Sequence, residues 1–290
     1  MKFKVFSKIR FFFLIYSVMI FSACHDSDKI EPEYGERTVL IYMAADNNLN
    51  KDGETNIKSI LKGMEQTAGR LVIYIDPRYD VPRLLTVKGG KGCRLDTLET
   101  YTEENSASPE VLARVVKEVQ KRYPASSYGL VLWSHGLGWV PPEYSFPGGY
   151  AMRLPDPDMP RTKYYAEDEH PGTTGKAYMD IREMAARLPG HFNFILWDVC
   201  FMGGIEVAYE LRNKTDYMIA SPAEVISDGF PYEKIVPLFW GGEEAMKQIC
   251  REYYNHYNKY PVNSLWRSAV VGLVKTEELE PLAAKVRTLL

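Results

Sequence analysis

Two apolar segments of this chain have the length of buried β-strands, and each ends in a residue suited to nucleophilic chemistry. Residues 130–136 read Leu-Val-Leu-Trp-Ser-His-Gly, and residues 195–204 read Ile-Leu-Trp-Asp-Val-Cys-Phe-Met-Gly-Gly. Continuous apolar runs of this length are typical of strands covered on both faces, as in parallel sheets. We therefore expect an α/β sheet that carries His135 and Cys200 just beyond the carboxyl ends of two strands.

Strand and helix patterns alternate along most of the chain. Apolar runs predict further strands at residues 38–44, 71–76, 83–87, 94–98, 217–221 and 269–274, and helical spacing predicts helices at 49–64, 108–122, 179–188, 201–212, 243–257 and from 276 onward. A turn at Asp46-Asn47-Asn48 is expected to cap the first helix. This alternation indicates a mostly parallel central sheet flanked by helices, in one domain over residues 37–290.

The first 36 residues are typical of an export signal followed by a linker. Basic residues precede an apolar stretch at residues 11–21, which is too short to span a bilayer as a mature helix. Phe21-Ser22-Ala23-Cys24 looks like a bacterial lipobox, so residues 1–23 are predicted to be a lipoprotein signal peptide and Cys24 the lipidated residue. Residues 24–36 would then tether the domain to the cell envelope, at the outer membrane or cell surface. The alternative is a plain signal peptide, with Cys24 incidental.

Charge and cysteine content narrow the functional classes. The net charge of −3 gives no reason to expect nucleic-acid binding, which usually needs a basic patch. Apart from Cys24, the cysteines are Cys93, Cys200 and Cys250, and an odd number in an exported protein indicates at least one free thiol. Cys93 and Cys250 could form a disulfide or act as two small buried hydrophobes.

The pairing of His135 with Cys200 favours a cysteine hydrolase. A thiolate is the useful nucleophile, and a nearby imidazole lowers the pKa of the thiol or takes its proton. The backbone N–H groups of Gly136 and Cys200 could form an oxyanion hole. Alternatively, Cys200 is a small core residue and His135 a turn residue. Their matched positions at two strand ends favour the catalytic interpretation.

Two aspartates are candidates for binding substrate. Asp198 lies two residues before Cys200, so in a strand both side chains would face the same side. A carboxylate there suits a cationic Arg or Lys side chain of a substrate. The alternatives for Asp198 are to orient His135 or to cap the helix that follows. Asp228 could supply a second carboxylate, or Asp228-Gly229 could simply form a turn.

Other catalytic templates are missing from the sequence. There is no G-x-S-x-G elbow, no dinucleotide fingerprint and no phosphate-binding P-loop. His170 and His191 lack metal-ligand spacing and are expected at the surface. No metal site is predicted.

Several blocks together resemble the clostripain family of cysteine peptidases. They lie at residues 38–49, 133–139, 198–204, 220–221 and 228–232, in the order found in that family. The resemblance implies a caspase-like three-layer α/β sandwich, a His135–Cys200 dyad, and cleavage after Arg or Lys. It also implies that Asp198, and less directly Asp228, lines the specificity pocket.

Residues 139–176 are rich in proline and lack periodicity, which indicates a long loop. Because family members often cut themselves between the histidine and the cysteine, the resemblance implies self-cleavage here, near Arg161 or Lys163. A fixed loop that shapes the cleft is the alternative. The resemblance also makes calcium possible, although no acidic loop with calcium-binding spacing is present, and no cofactor is predicted. No helix stop signal precedes residue 290, so we expect the domain to continue further.

Two functional hypotheses remain from the sequence. The first is a lipid-anchored cysteine endopeptidase that acts on proteins or peptides with Arg or Lys before the cut bond. The second is a catalytically inactive caspase-like lipoprotein that acts as a binding module. Retention of His135, Cys200 and Asp198 favours the first hypothesis.

Overall fold

The computed structural model describes residues 35–138, 166–169 and 177–289. The predictions for Cys24, the signal peptide, Arg161, Lys163 and His170 lie outside these residues. Among the described residues, no helix has both the length and the apolar composition needed to cross a bilayer.

Eight strands of the described chain form one sheet in the order β4-β3-β2-β1-β5-β6-β7-β8. The strands are β1 (Gly35–Ala45), β2 (Arg70–Pro77), β3 (Arg83–Lys88), β4 (Arg94–Thr100), β5 (Ala125–Trp133), β6 (Phe192–Asp198), β7 (Thr215–Ala220) and β8 (Gly272–Lys275). The central strands β2, β1, β5, β6 and β7 pair in parallel, whereas β3, β4 and β8 pair antiparallel at the two edges. The predicted mostly parallel sheet is therefore confirmed.

Seven α-helices of the described chain cover the two faces of this sheet. They are α1 (Asn50–Met64), α2 (Pro109–Arg122), α3 (Ile181–Arg187), α4 (Ile205–Glu210), α5 (Tyr232–Ile235), α6 (Glu243–Asn258) and α7 (Leu279–Arg287). Alternate residues of β1 point to opposite faces. Leu40 and Tyr42 belong to the apolar core beneath α2, α3, α4 and α7, while Val39 and Ile41 belong to the core beneath α1, α5 and α6. These two cores make a three-layer sandwich.

Local differences from the prediction have identifiable causes. Helix α4 begins at Ile205 rather than at residue 201, because Phe201 has a positive φ of 61° that no right-handed helix accepts. Helix α5 was not predicted, since four residues carry too little periodicity. Strand β1 already begins at Gly35, which pairs with Ala125, so the first strand extends two residues into the predicted tether.

Candidate active site

The two chemistry-bearing residues follow neighbouring strands at one edge of the sheet. Strands β5 and β6 pair in parallel, and Trp133 lies opposite Asp198 in their register. His135 and Cys200 each come two residues after this pair. The topology therefore places the two residues in adjacent loops at the carboxyl ends of the central strands, where open α/β sheets bind ligands.

The loops that carry these residues touch each other. Gly138 has a φ of +67°, and a Cβ atom added there would lie 2.6 Å from the carbonyl oxygen of Phe201. Only glycine tolerates both the left-handed backbone and this close approach. Phe201, directly after Cys200, is itself left-handed. Such strain in a non-glycine residue costs about 1–3 kcal/mol and tends to occur at functional sites.

The Cys200 thiol is packed against the loop that follows β7. Its Sγ accepts a hydrogen bond from the Val225 N–H at 3.2 Å and donates to the Val225 carbonyl at 3.7 Å. The backbone N–H groups of Phe201 and Gly203 donate to the carbonyls of Ala223 and Ser221. The side chain of Cys200 is completely buried in this conformation.

His135 is held at its Nε2 atom. The distance from this nitrogen to Oδ1 of Asn48 is 2.6 Å, and the ring is almost fully buried. Ser134, the preceding residue, donates from Oγ to the Ala44 carbonyl at 2.8 Å. The expected cap at residues 46–48 is wrong, because α1 has Leu49 at its N-cap and no side-chain cap. Asn48 contacts the histidine instead, and nothing in the sequence pattern indicated this.

Gly136 follows His135 directly and is buried. Among the described residues, its N–H donates to no backbone carbonyl outside the sheet and helices. Its role as an oxyanion donor stays a prediction.

Asp198 is the last residue of β6 and is completely buried. Its Oδ2 accepts hydrogen bonds from the Tyr232 hydroxyl at 2.9 Å and from the Phe230 N–H at 3.4 Å. Burial and the adjacent carboxylate raise the pKa of Tyr232 well above its usual value. The alternative that Asp198 caps the next helix is wrong, since α4 starts after Gly204 with no side-chain cap.

Asp228 is the exposed residue of a turn whose other residues are buried. Gly229 has a φ of +70° and its N–H bonds to the Ile226 carbonyl, so the predicted Asp-Gly turn is confirmed. The carbonyl of Asp228 accepts from Nδ2 of Asn56 at 3.0 Å, and Oδ1 of Asn56 accepts from Nε1 of Trp133 at 2.7 Å. Helix α1 thus connects this turn to the strand that precedes His135, while the Asp228 side chain stays exposed.

Two tyrosines of α6 complete the surroundings of Asp198. Tyr257 donates to the Gly229 carbonyl at 2.7 Å. The Tyr253 hydroxyl is buried and has no hydrogen-bond partner among the described residues. Burial, followed by the charges of Asp198 and Cys200, raises the pKa of Tyr253. Nothing in the sequence singles out Tyr253 among 20 tyrosines.

A cluster of buried carboxyl groups lies at the ends of β1 and β2. Burial and the nearby charge of Asp168 raise the pKa of Asp46 to about 7, and burial raises that of Asp76 to about 8. Asp168 accepts hydrogen bonds from the N–H and Oγ of Ser106. Neither Asp46 oxygen receives a donor from another described residue, and burial is the largest cause of its raised pKa.

The described residues contain no group of three or more His, Cys, Asp or Glu side chains arranged to hold a metal ion. The calcium that the family resemblance makes possible would therefore have no such ligand group within the described ranges. His191 is exposed and bonds to Asp216, as expected for a surface residue.

Cys93 and Cys250 form no disulfide and pack partly buried against the core beneath α1 and α6, which resolves the alternative left open by the sequence.

Comparison with known proteins agrees with this geometry. A model of the Clostripain family matches residues 41–290. The chain belongs to the clostripain family. Clostripain from Hathewaya histolytica is 26% identical over 228 residues, which cover 68% of this chain and 41% of that protein. The chain therefore spans about two fifths of the length of that curated relative.

Two crystal structures share the fold. A secreted cysteine protease from Bacteroides thetaiotaomicron, in complex with an irreversible peptide inhibitor, is 32% identical with a TM-score of 0.72, over 88% of this chain and 70% of that one. An inactive zymogen protease from Parabacteroides distasonis is 36% identical with a TM-score of 0.72, over 89% and 66%. The clostripain-like fold expected from the sequence is confirmed.

Proposed function

We propose that this clostripain-family chain is a cysteine endopeptidase that cleaves after Arg or Lys. The observation that carries the proposal is the direct contact between the His135 and Cys200 loops, in a chain that belongs to this family. Two adjacent strand ends supply a nucleophile and a base at one edge of the sheet, which is the minimum that covalent catalysis by a thiol requires.

The chemistry follows from the groups at this edge. His135 takes the proton of the Cys200 thiol, and the thiolate attacks the scissile carbonyl carbon. The N–H groups of Gly136 and Cys200 stabilise the oxyanion of the tetrahedral intermediate. As the C–N bond breaks, His135 gives its proton to the leaving amine, and water then hydrolyses the thioester with the same base.

A preference for basic side chains is supported by the surroundings of Asp198. Its buried carboxylate is two residues before Cys200, and the buried Tyr253 hydroxyl, which is influenced by both charges, has no hydrogen-bond partner within the described ranges. Both are acceptors for the N–H groups of a guanidinium or ammonium. Asp228 is exposed in the turn that leads to Phe230, where a second carboxylate would attract the substrate cation.

Self-processing would explain why Cys200 is inaccessible in this conformation. A substrate carbonyl cannot reach a completely buried Sγ unless the groups that cover it move. We infer that cleavage near Arg161 or Lys163 permits this movement. Mass spectrometry of the active protein checks the inference, and an uncut but fully active chain would contradict it.

Membrane attachment is a separate proposal that rests on the sequence around Cys24. Cells that express the full chain with an alkyne-tagged fatty acid should label the wild-type protein but not Cys24→Ala. Equal labelling of both proteins, or none, would favour the plain signal peptide.

The activity is tested with fluorogenic peptides that end in Arg, Lys or Leu. We expect turnover of the Arg or Lys peptides, loss of that turnover in Cys200→Ala and His135→Ala, and little turnover of the Leu peptide. Absence of any Cys200-dependent turnover would favour the inactive binding module. A preference for Leu would instead overturn the assignment of Asp198.

A further inference from the structure

We propose that Asn48 is a positioning residue that fixes the tautomer and orientation of His135. The inference rests on the proposed cysteine peptidase activity. It starts from the 2.6 Å distance between His135 Nε2 and Asn48 Oδ1. These two residues are far apart in the chain and meet only because β1 and β5 are neighbours in the sheet.

The chemistry of the amide oxygen decides which ring nitrogen carries the proton. An amide oxygen accepts hydrogen bonds and cannot donate them, so Nε2 of the neutral ring must hold its hydrogen. The lone pair is then on Nδ1, and this is the nitrogen that exchanges a proton with Cys200 and with the leaving amine. A rotated or wrong-tautomer ring would present an N–H to the thiol and could not accept its proton.

The residues that precede His135 and Asn48 are hydrogen-bonded to the same backbone carbonyl group. The Ala44 carbonyl accepts from Oγ of Ser134 at 2.8 Å and from Nδ2 of Asn47 at 3.0 Å. Ser134 directly precedes His135, and Asn47 directly precedes Asn48. Ser134 and Asn47 are both completely buried. The bond is therefore built between two loops that cannot shift independently, which is the preorganisation that a catalytic base needs.

Asn47 and Asn48 have different roles in this turn. The side chain of Asn47 also bonds to the Glu167 carbonyl at 2.7 Å and to the Leu49 N–H at 2.9 Å, so it holds the turn itself. Asn48 is exposed, and its side chain is hydrogen-bonded to His135. Substitution of an exposed residue changes stability little. Asn48 can thus be changed without unfolding the turn.

The first test reads the ring nitrogens directly and needs no activity. Cys200→Ala protein is labelled with ¹⁵N in the histidine rings, and His135→Gln assigns the signal. We expect a neutral ring protonated at Nε2, a mixture of tautomers after Asn48→Ala, and retention of the Nε2–H form in Asn48→Asp, which keeps an acceptor oxygen. Unchanged His135 nitrogen shifts in Asn48→Ala would overturn the proposal.

The second test separates positioning from substrate binding. With an Arg peptide, Asn48→Ala should lower kcat roughly 10- to 100-fold, as expected for a misplaced general base, and leave KM nearly unchanged. Asn48→Asp should recover part of the rate. The matched control is Asn213→Ala, an exposed asparagine just before β7 at the opposite edge of the sheet, which should retain full kcat.

These outcomes distinguish failure of the inference from failure of the proposed function. A wild-type chain without Cys200-dependent turnover would refute the peptidase activity, while the ring-nitrogen spectra would still decide the role of Asn48. Wild-type turnover with full kcat in Asn48→Ala, at an unchanged melting temperature, would refute the positioning role alone.

Discussion

The buried carboxyl group of Asp46 should make the stability of this protein fall as pH rises. The pKa of Asp46 rises from an ordinary 3.8 to about 7 in the folded chain, chiefly because the group is buried. The folded state therefore binds the proton more tightly than the unfolded state. The stabilisation is complete below about pH 4, and it is lost progressively as the pH rises to about 7, where the folded carboxyl ionises.

The size of this effect follows from the two pKa values. Each tenfold change in proton affinity corresponds to about 1.4 kcal/mol, so ionisation of Asp46 costs the fold roughly 4 kcal/mol by pH 8. The neutral amide introduced by Asp46→Asn would mimic the protonated carboxyl and would not titrate. The unfolding free energy of Asp46→Asn, relative to the parent, should therefore increase by roughly 2–3 kcal/mol between pH 5 and pH 8.

Urea unfolding at a series of pH values measures this difference, with both proteins in a Cys200→Ala background to prevent self-digestion. Asp96→Asn is the matched control, because the Asp96 carboxylate pairs with Lys88 and Arg94 and its pKa is lowered rather than raised. Its difference from the parent should be small and of opposite sign. A difference for Asp46→Asn that is constant with pH, or that decreases, would refute the raised pKa of Asp46.

Three further substitutions test the site. Tyr253→Phe removes a buried hydroxyl that has no hydrogen-bond partner among the described residues, so the urea midpoint should stay the same or increase. KM for Arg peptides should rise several-fold, because the substrate loses an acceptor. An unchanged KM would exclude contact between this hydroxyl and the substrate. Tyr232→Phe removes a donor to Asp198 and should lower the unfolding free energy by about 1–3 kcal/mol, measured in urea; no loss would mean that the bond is not formed. Gly138→Ala should reduce kcat and destabilise the fold by about 1–3 kcal/mol. Gly242→Ala is the control and should have little effect, because a Cβ atom added there meets nothing within 4 Å. Equal effects of the two substitutions would argue against the contact between the loops.

The sequence predicts the strands well because their burial leaves a direct pattern. The apolar runs at residues 38–44 and 195–197 lie inside β1 and β6, and they match these strands to within about three residues at each end. Helix α4 is different, because the left-handed backbone of Phe201 depends on the contact with Gly138 and leaves no trace in periodicity. Periodicity alone therefore places its start four residues too early.

The candidate site is only partly readable from sequence, for a similar reason. His135 and Cys200 stand out because each directly follows an apolar strand. Asn48 and Tyr253 meet the site through tertiary packing, from the end of β1 and from α6, and polar residues in those places are common in any sequence. A single sequence contains no signal for a hydrogen bond between residues on two neighbouring strand ends.

The place of the loop between His135 and Cys200 determines what a cut there would release. The strands on either side of it, β5 and β6, are hydrogen-bonded neighbours in the middle of the sheet, from Gly129 opposite Phe194 to Trp133 opposite Asp198. Two fragments produced by a cut in that loop would remain joined by the hydrogen bonds between β5 and β6 and by the apolar cores on both faces of the sheet. They should migrate together in a native gel or a sizing column, and separate only when denaturant opens the sheet.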